Sequence, residues 1–232
     1  MQRALASRSR RAHRMTAMKD AAESPVHLLL MASPVAVRDA LRTLFELDER
    51  LGGIVRTTRE PMIGQLRLAW WREALVTLDI AAAPAEPLLG AIQRHLLPRG
   101  LSGACLAAMI DGWEGIIVAA AIDDAVLTRF CRARGEGLFV NAASLIGSDS
   151  PALAPAGQAW AAADLAAGLS DPAAAKAAMV LAGTMWSVAF SRRWPLALRP
   201  LGTLSLIAML DRRSGAPIGK ALRVARFRLT GR

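Results

Sequence analysis

Apolar residues recur at intervals of three and four along almost the whole chain, and this periodicity predicts α-helices rather than strands. The first long helix is predicted to start at Pro34, because Ser33 can cap it and a first turn does not use the N–H that proline lacks. One face of this helix, which runs to about Arg56, carries Val37, Leu41, Leu44, Leu51 and Val55. Asp48 interrupts that apolar face, and a carboxylate is unusual where a helix packs against a core.

Residues 60–75 predict a second helix, which begins at Glu60-Pro61 and is apolar on two flanks. One flank carries Ile63, Leu66 and Trp70, and the other carries Leu68, Trp71, Leu75 and Leu78. So wide an apolar surface is typical of a helix in the middle of a bundle, and we therefore expect the first flank to be buried as well. Further helices are predicted near residues 88–97, 102–113, 125–146, 157–169, 172–191 and 198–211. Together they predict an all-α, single-domain helical bundle over residues 25–232, preceded by a basic tail at residues 1–24.

Glycine and serine residues are predicted to be structural. Gly135 and Gly137 lie inside a helical pattern with no strand before them, which favours close packing of two helices over a dinucleotide-binding loop. Ser102, Ser144 and Ser205 lack the accompanying His and Asp of a known nucleophile arrangement.

The composition excludes several classes of protein. A content of 53% hydrophobic and 21% charged residues excludes general disorder. The longest run without charge, residues 177–191, is shorter than the roughly 20 residues that span a membrane, so we expect a soluble globular protein. Cys105 and Cys131 have no CxxC spacing and are expected to be reduced cytosolic thiols. His13, His27 and His95 are too scattered to predict a metal site.

The net charge of +10 comes almost entirely from arginine. Such a surface attracts phosphates, anionic lipid or acidic partners, although an excess of solvated arginine gives the same composition. The first 19 residues are basic and no apolar signal region follows them. They resemble a mitochondrial transit peptide superficially, and a disordered tail or a start codon placed too far upstream are open alternatives.

The segment from Arg212 to Arg232 carries seven basic residues and no acid. Leu222, Val224, Phe227 and Leu229 are interleaved with them. This pattern predicts that the tail binds an anionic membrane surface, with arginines at the headgroups and apolar side chains in the interface. A solvated, partly disordered end is the alternative. The expected location is cytoplasmic, with peripheral attachment to the inner face of the membrane.

Several segments together resemble the squalene/phytoene synthase family over residues 26–232. Residues 41–56 read LRTLFELDERLGGIVR and residues 60–75 read EPMIGQLRLAWWREAL. Downstream segments at 137–147 and 192–213 read GLFVNAASLIG and RRWPLALRPLGTLSLIAMLDRR. The resemblance implies the isoprenoid synthase fold, in which helices surround a deep cavity for prenyl chains.

Members of this family join two prenyl diphosphates head to head. Two aspartate-rich motifs facing each other across the cavity hold Mg²⁺ ions, which bind and withdraw the diphosphate leaving group. In this chain Gly52, Gly53 and Arg56 stand at the carboxylate positions of the first motif. In the second motif Asp164 is retained, whereas Gly168 replaces a carboxylate.

These departures imply a catalytically degenerate member, similar to the mitochondrial complex I assembly factor of the same superfamily. No catalytic residue and no metal site is predicted. The candidate cavity or groove is formed by Arg38, Asp48, Glu49, Glu60, Arg67, Trp70, Trp71, Arg72 and Asp164.

Two hypotheses follow for the function. In the first, the chain binds an isoprenoid or another lipid, or it helps to assemble a membrane complex through a protein partner, and it needs no cofactor. In the second, it remains an active head-to-head prenyl-diphosphate transferase, with Asp48, Glu49 and Asp164 as displaced Mg²⁺ ligands. Nucleic-acid binding is supported only by the net charge, since no recognised binding motif is present, and is not expected.

Overall fold

The computed structural model describes residues 24–212 and 216–232. Within these ranges the chain forms helices and no strand, which confirms the all-α prediction. The helices are α1 Pro25–Ala32, α2 Arg38–Thr57, α3 Pro61–Thr77, α4 Pro87–His95, α5 Gly103–Ala107, α6 Ile110–Val118, α7 Asp124–Phe130, α8 Gly137–Ile146, α9 Leu153–Gly168, α10 Pro172–Ala189, α11 Arg199–Asp211 and α12 Pro217–Thr230. The predicted basic tail, apart from Ser24, and Arg213 lie outside the described residues.

Most helix starts follow the local signals of the sequence. α3, α4, α10 and α12 each begin at a proline, and the Ser102 hydroxyl accepts a hydrogen bond from the Cys105 N–H at the start of α5. The prediction for the first long helix was wrong by four residues, because α2 begins at Arg38 after a single 3₁₀ turn, Val35–Val37. The Ser33 hydroxyl does not cap it, since this group donates to the Leu29 carbonyl instead.

The centre of the bundle is the alanine-rich helix α9. It packs along α10 and against α11, α8 and the segment Cys131–Glu136. The contact with that segment is a glycine-to-glycine crossing: a Cβ on Gly157 would lie 2.1 Å from the Gly135 carbonyl oxygen. The prediction that Gly135 permits two helices to pack closely is confirmed.

The helix predicted at residues 125–146 contains an irregular turn. α7 leads into a π-helical segment at Cys131–Glu136, which continues into α8. A π turn accommodates one additional residue, and it therefore changes which side chains face the core.

Helix α3 packs with one flank only. Leu68, Trp71 and Leu75 are buried as predicted. The prediction that the other flank is buried was wrong, because Ile63, Leu66 and Trp70 are 41%, 66% and 46% exposed. Periodicity located both apolar flanks, but α2, α5 and α6 cover only one of them.

The basic C-terminal segment is an ordered helix against the bundle, which excludes the disordered alternative for residues 217–230. The Phe227 ring is buried against Phe190 and Trp194, and the Trp194 N–H donates to the Gly231 carbonyl at 2.9 Å. Gly231 has φ +75°, a left-handed conformation that ends α12.

None of the described helices is both long enough and apolar enough to cross a membrane alone, although the consecutive stretches 87–99 and 103–118, bent by 119°, reach that length and composition together.

Candidate functional site

A buried ion-pair cluster joins three helical elements inside the bundle. Arg134, from the π-helical segment, donates from Nε and Nη2 to the two carboxylate oxygens of Asp48 on α2, at 2.8 and 2.9 Å. Its Nη1 donates to Asp164 on α9 at 2.5 Å. The Arg134 and Asp48 side chains are 4% and 5% exposed, whereas Asp164 is 48% exposed. One guanidinium therefore bridges the two carboxylates.

Aromatic rings enclose the same guanidinium. The Arg134 Cζ lies 4.4 Å from the ring centroid of Trp113 and 4.6 Å from that of Trp160, with Phe130 at 5.5 Å. A weakly hydrated planar cation binds to ring faces in this way more readily than an ammonium does. The carboxylates and the indoles together satisfy a cation that would otherwise be very costly to bury.

The electrostatics of the cluster follow from this arrangement. Burial by itself would lower the pKa of Arg134, but the charges of Asp48 and Asp164 and their hydrogen bonds outweigh burial and raise that pKa. Cys131, in the same π-helical segment, is fully buried, and burial raises the pKa of its thiol to about 12 even though Arg134 acts in the opposite direction. At neutral pH Arg134 is a cation and Cys131 is a neutral thiol.

The carboxylates of the cluster do not fit a Mg²⁺ site, because both already accept hydrogen bonds from Arg134. Near the position that the resemblance assigns to the first motif, Arg56 forms an ion pair with Glu49, so that a third candidate ligand is also engaged. A Cβ on Gly52 would lie 2.7 Å from Arg56 Nη1 and 2.9 Å from Trp113 Cη2, so this position cannot hold an aspartate without displacement.

Gly53 and Gly168 stand in open space. Among the described residues, no group of three or more His, Cys, Asp or Glu side chains converges as metal ligands would.

The remaining candidate residues, apart from the buried Trp71, are dispersed over the surface of the bundle. Arg38 donates to the carbonyls of Met31 and Ser33, and Glu60 precedes α3 as an exposed residue. Arg72 pairs with Asp111 at 2.6 Å and with Glu114 at 2.8 Å. These contacts hold neighbouring helices together.

Arg67 is exposed and lines a groove of about 650 Å³ between α2, α3 and α4, together with Glu49 and Gly53. Trp70 packs edge-on against the buried Trp71, with the ring centroids 5.4 Å apart. Of the nine candidate residues, the structure therefore brings Asp48 and Asp164 together through Arg134, and Glu49 and Arg67 together in the groove.

A groove of about 1310 Å³ lies on another side, between α5, α6, the π-helical segment and α9. The exposed Cys105 thiol faces it and donates to Asn141 Oδ1 at 3.1 Å. Side chains of both charge signs line it, namely Arg129, Arg132, Asp111, Asp124 and Glu136. This groove was not predicted from the sequence.

Arg134 is the central residue of the cluster, and it was not predicted from the sequence. The signal for it was Asp48 on an apolar helix face, because a buried carboxylate needs a cation or hydrogen-bond donors. The partner lies 86 positions away in a chain with many arginines, so sequence alone did not identify which one pairs with it.

Comparison with models of protein families, with curated proteins and with solved structures gives no match for this chain.

Proposed function

We propose that this protein is a catalytically silent member of the squalene/phytoene synthase family that acts at a membrane surface. In this role it binds lipid or a protein partner during assembly of a membrane complex. The observation that carries the proposal is the bridge from Arg134 to Asp48 and Asp164. A guanidinium held between the two carboxylates engages the oxygens that a transferase with displaced ligands would need for Mg²⁺.

The exposed flank of α3 favours the assembly role over a purely lipid-binding one. Met62, Leu66 and Trp70 are 72%, 66% and 46% exposed on the side of α3 that faces away from the core. Trp and Met are enriched in the centres of protein interfaces. The exposed basic residues Arg59 and Arg67 are close to this patch in sequence, which suits a partner whose apolar surface is bordered by acidic side chains.

Incubation with Mg²⁺ and farnesyl or geranylgeranyl diphosphate tests the central proposal. We expect pyrophosphate release to stay at the level of a boiled control. Release well above that level would overturn the proposal in favour of the transferase alternative with displaced ligands.

Lipid extraction and mass spectrometry of the natively purified protein identify what it carries. A recurrent prenyl or phospholipid species supports the lipid-binding role. If the extracts contain no lipid above background, only the protein-partner role remains.

A further inference from the structure

A groove between α11 and α12 combines an apolar floor with an arginine rim. Its volume is about 520 Å³, which is within the usual range for a small-molecule site. The floor is formed by Phe190, Leu206, Met209 and Phe227, and the last of these is 2% exposed. The apolar part of a ligand can therefore be shielded from water in this groove.

Three arginines of the C-terminal region, Arg223, Arg226 and Arg232, line the same groove. Within the described part of the chain, no carboxylate lies within 4 Å of their guanidinium groups, and these groups donate no hydrogen bond. Asp211 on the neighbouring helix faces Lys220 instead, with 3.9 Å between the charged atoms. Three cations that pair with no carboxylate of residues 24–212 or 216–232, above an apolar floor, complement a ligand that is anionic at one end and apolar at the other.

The outer face of α12 indicates the source of that ligand. Ile218, Leu222, Ala225 and Leu229 recur at helical spacing and are exposed, with Ile218 and Leu229 74% and 79% exposed. This stripe points away from Phe227, and Leu222 belongs both to the stripe and to the wall of the groove. A helix whose stripe lies in a membrane interface would place the groove at the level of the lipid phosphates.

We propose that the groove between α11 and α12 binds one anionic phospholipid of the membrane. The headgroup phosphate accepts hydrogen bonds from Arg223, Arg226 and Arg232, and the first part of an acyl chain lies on the floor. This inference rests on the proposed action at a membrane surface. It adds one discrete binding site to the general attraction of a basic surface for anionic lipid.

The test compares two single substitutions on α12. Arg226→Gln removes a charge from the groove, and Arg228→Gln removes an equal charge from an exposed residue that does not line it. The probe is dihexanoyl phosphatidic acid below its micelle concentration, titrated into the full chain by calorimetry. We expect saturable binding of one molecule per chain, weakened at least tenfold by Arg226→Gln and less than threefold by Arg228→Gln.

Three outcomes would overturn the site. If Arg226→Gln and Arg228→Gln weaken binding of dihexanoyl phosphatidic acid equally, the attraction is a general effect of charge. If inorganic phosphate binds as tightly as dihexanoyl phosphatidic acid, the groove is an anion site without a lipid. If dihexanoyl phosphatidylcholine binds as tightly, the groove is an apolar cleft only. Met209→Trp fills the floor without changing the charge and is expected to abolish binding, with circular dichroism as the check on folding. Failure here is distinguishable from failure of the proposed function, because pyrophosphate release and vesicle binding through the stripe are measured separately.

Discussion

A buried guanidinium is tolerated when its charge and its N–H donors both find partners, and Arg134 meets this condition with three side-chain hydrogen bonds and two indole faces. Arg134 lies in the π-helical segment and is buried, whereas Arg132 of the same segment is exposed.

We expect Asp48→Asn to lower the free energy of unfolding by about 3–5 kcal/mol, because it leaves the buried Arg134 cation with only the partly exposed Asp164 as a charged partner. Asp39→Asn on the same helix is the matched control. Asp39 pairs with Arg42 at the surface, so the loss there should be at most about 1 kcal/mol. Urea denaturation measures both. Equal midpoints for Asp48→Asn and wild type would show that the pair makes no net contribution.

Replacing both Asp48 and Arg134 separates the cost of a buried unpaired charge from the contribution of side-chain packing. The double variant Asp48→Leu with Arg134→Met is expected to be more stable than Asp48→Asn alone, since no unpaired charge is left inside. A double variant less stable than the single one would assign the effect to lost packing against Trp113 and Trp160.

Cys131 predicts a dependence of stability on alkaline pH. The folded protein holds the Cys131 proton more tightly than the unfolded chain does. The contribution of this thiol to stability is therefore fully present below pH 8.5 and is lost as the pH rises towards about 12. The slope should be about 1.4 kcal/mol per pH unit steeper than in Cys131→Ala. Tyrosine is absent and only three lysines are present, so few other side chains titrate in this window. Cys105→Ala, at the exposed thiol, should keep the wild-type slope, and a flat wild-type profile from pH 8.5 to 11 would contradict the prediction.

At the scale of elements, the crossing of α9 over the π-helical segment sets the spacing of the bundle. Gly157→Ala is expected to cost about 3 kcal/mol or more, because its methyl group would collide with the Gly135 backbone. Gly183→Ala in α10 is the control: a Cβ there meets nothing within 4 Å, so it should raise stability by up to about 1 kcal/mol. Thermal melts of both variants decide this. A neutral Gly157→Ala would mean that the two elements can separate without cost.

Helix α3 offers two adjacent tryptophans in opposite environments. Trp71→Ala should cost about 3–5 kcal/mol, whereas Trp70→Ala should cost only about 1 kcal/mol through its edge contact with Trp71. Denaturant titration of the two variants compares them directly. A loss at Trp70 as large as that at Trp71 would mean that the exposed flank is covered in solution.

The sequence predicted most elements but not their environment. Glu60-Pro61 and Ser102 marked helix starts correctly, because caps depend on neighbouring residues alone. The exposure of Trp70 was not predictable from periodicity, since an apolar face looks the same whether a helix or a partner covers it. The π turn was also invisible, because one additional residue changes the register without changing the composition. Asp48 and Asp164 were named as candidates from the sequence, whereas Arg134, which bridges them, was not.

At the scale of the whole molecule, the effect of the net charge of +10 depends on where the basic residues lie. The prediction for the C-terminal segment named Val224 and Phe227 among the residues that enter the interface. This was wrong, because Phe227 is buried in the bundle and Val224 packs against the core. The exposed large apolar residues of this helix are instead Ile218, Leu222 and Leu229.

Leu222→Gln with Leu229→Gln is expected to reduce sedimentation with anionic liposomes at least tenfold, because two large apolar side chains no longer enter the interface. Val35→Gln with Ile80→Gln, at residues 76% and 90% exposed elsewhere, is the matched control and should bind like wild type. High salt should release the wild-type protein, because each arginine near the surface contributes about 1 kcal/mol that salt screens. Equal binding by the two double variants would assign attachment to another surface. Point variants are preferable to a deletion, because removing Phe227 would uncover Phe190 and Trp194.

The anchoring of α12 has a consequence for orientation. Arg199 donates to the carbonyls of Arg228 and Leu229, so the end of the helix is fixed to the bundle instead of being held by a flexible tether. If this helix lies in a bilayer, the molecule loses its rotational freedom together with one dimension of diffusion. A partner in the same membrane would then meet the exposed flank of α3 at a single tilt, and encounter between them would become a search in a plane.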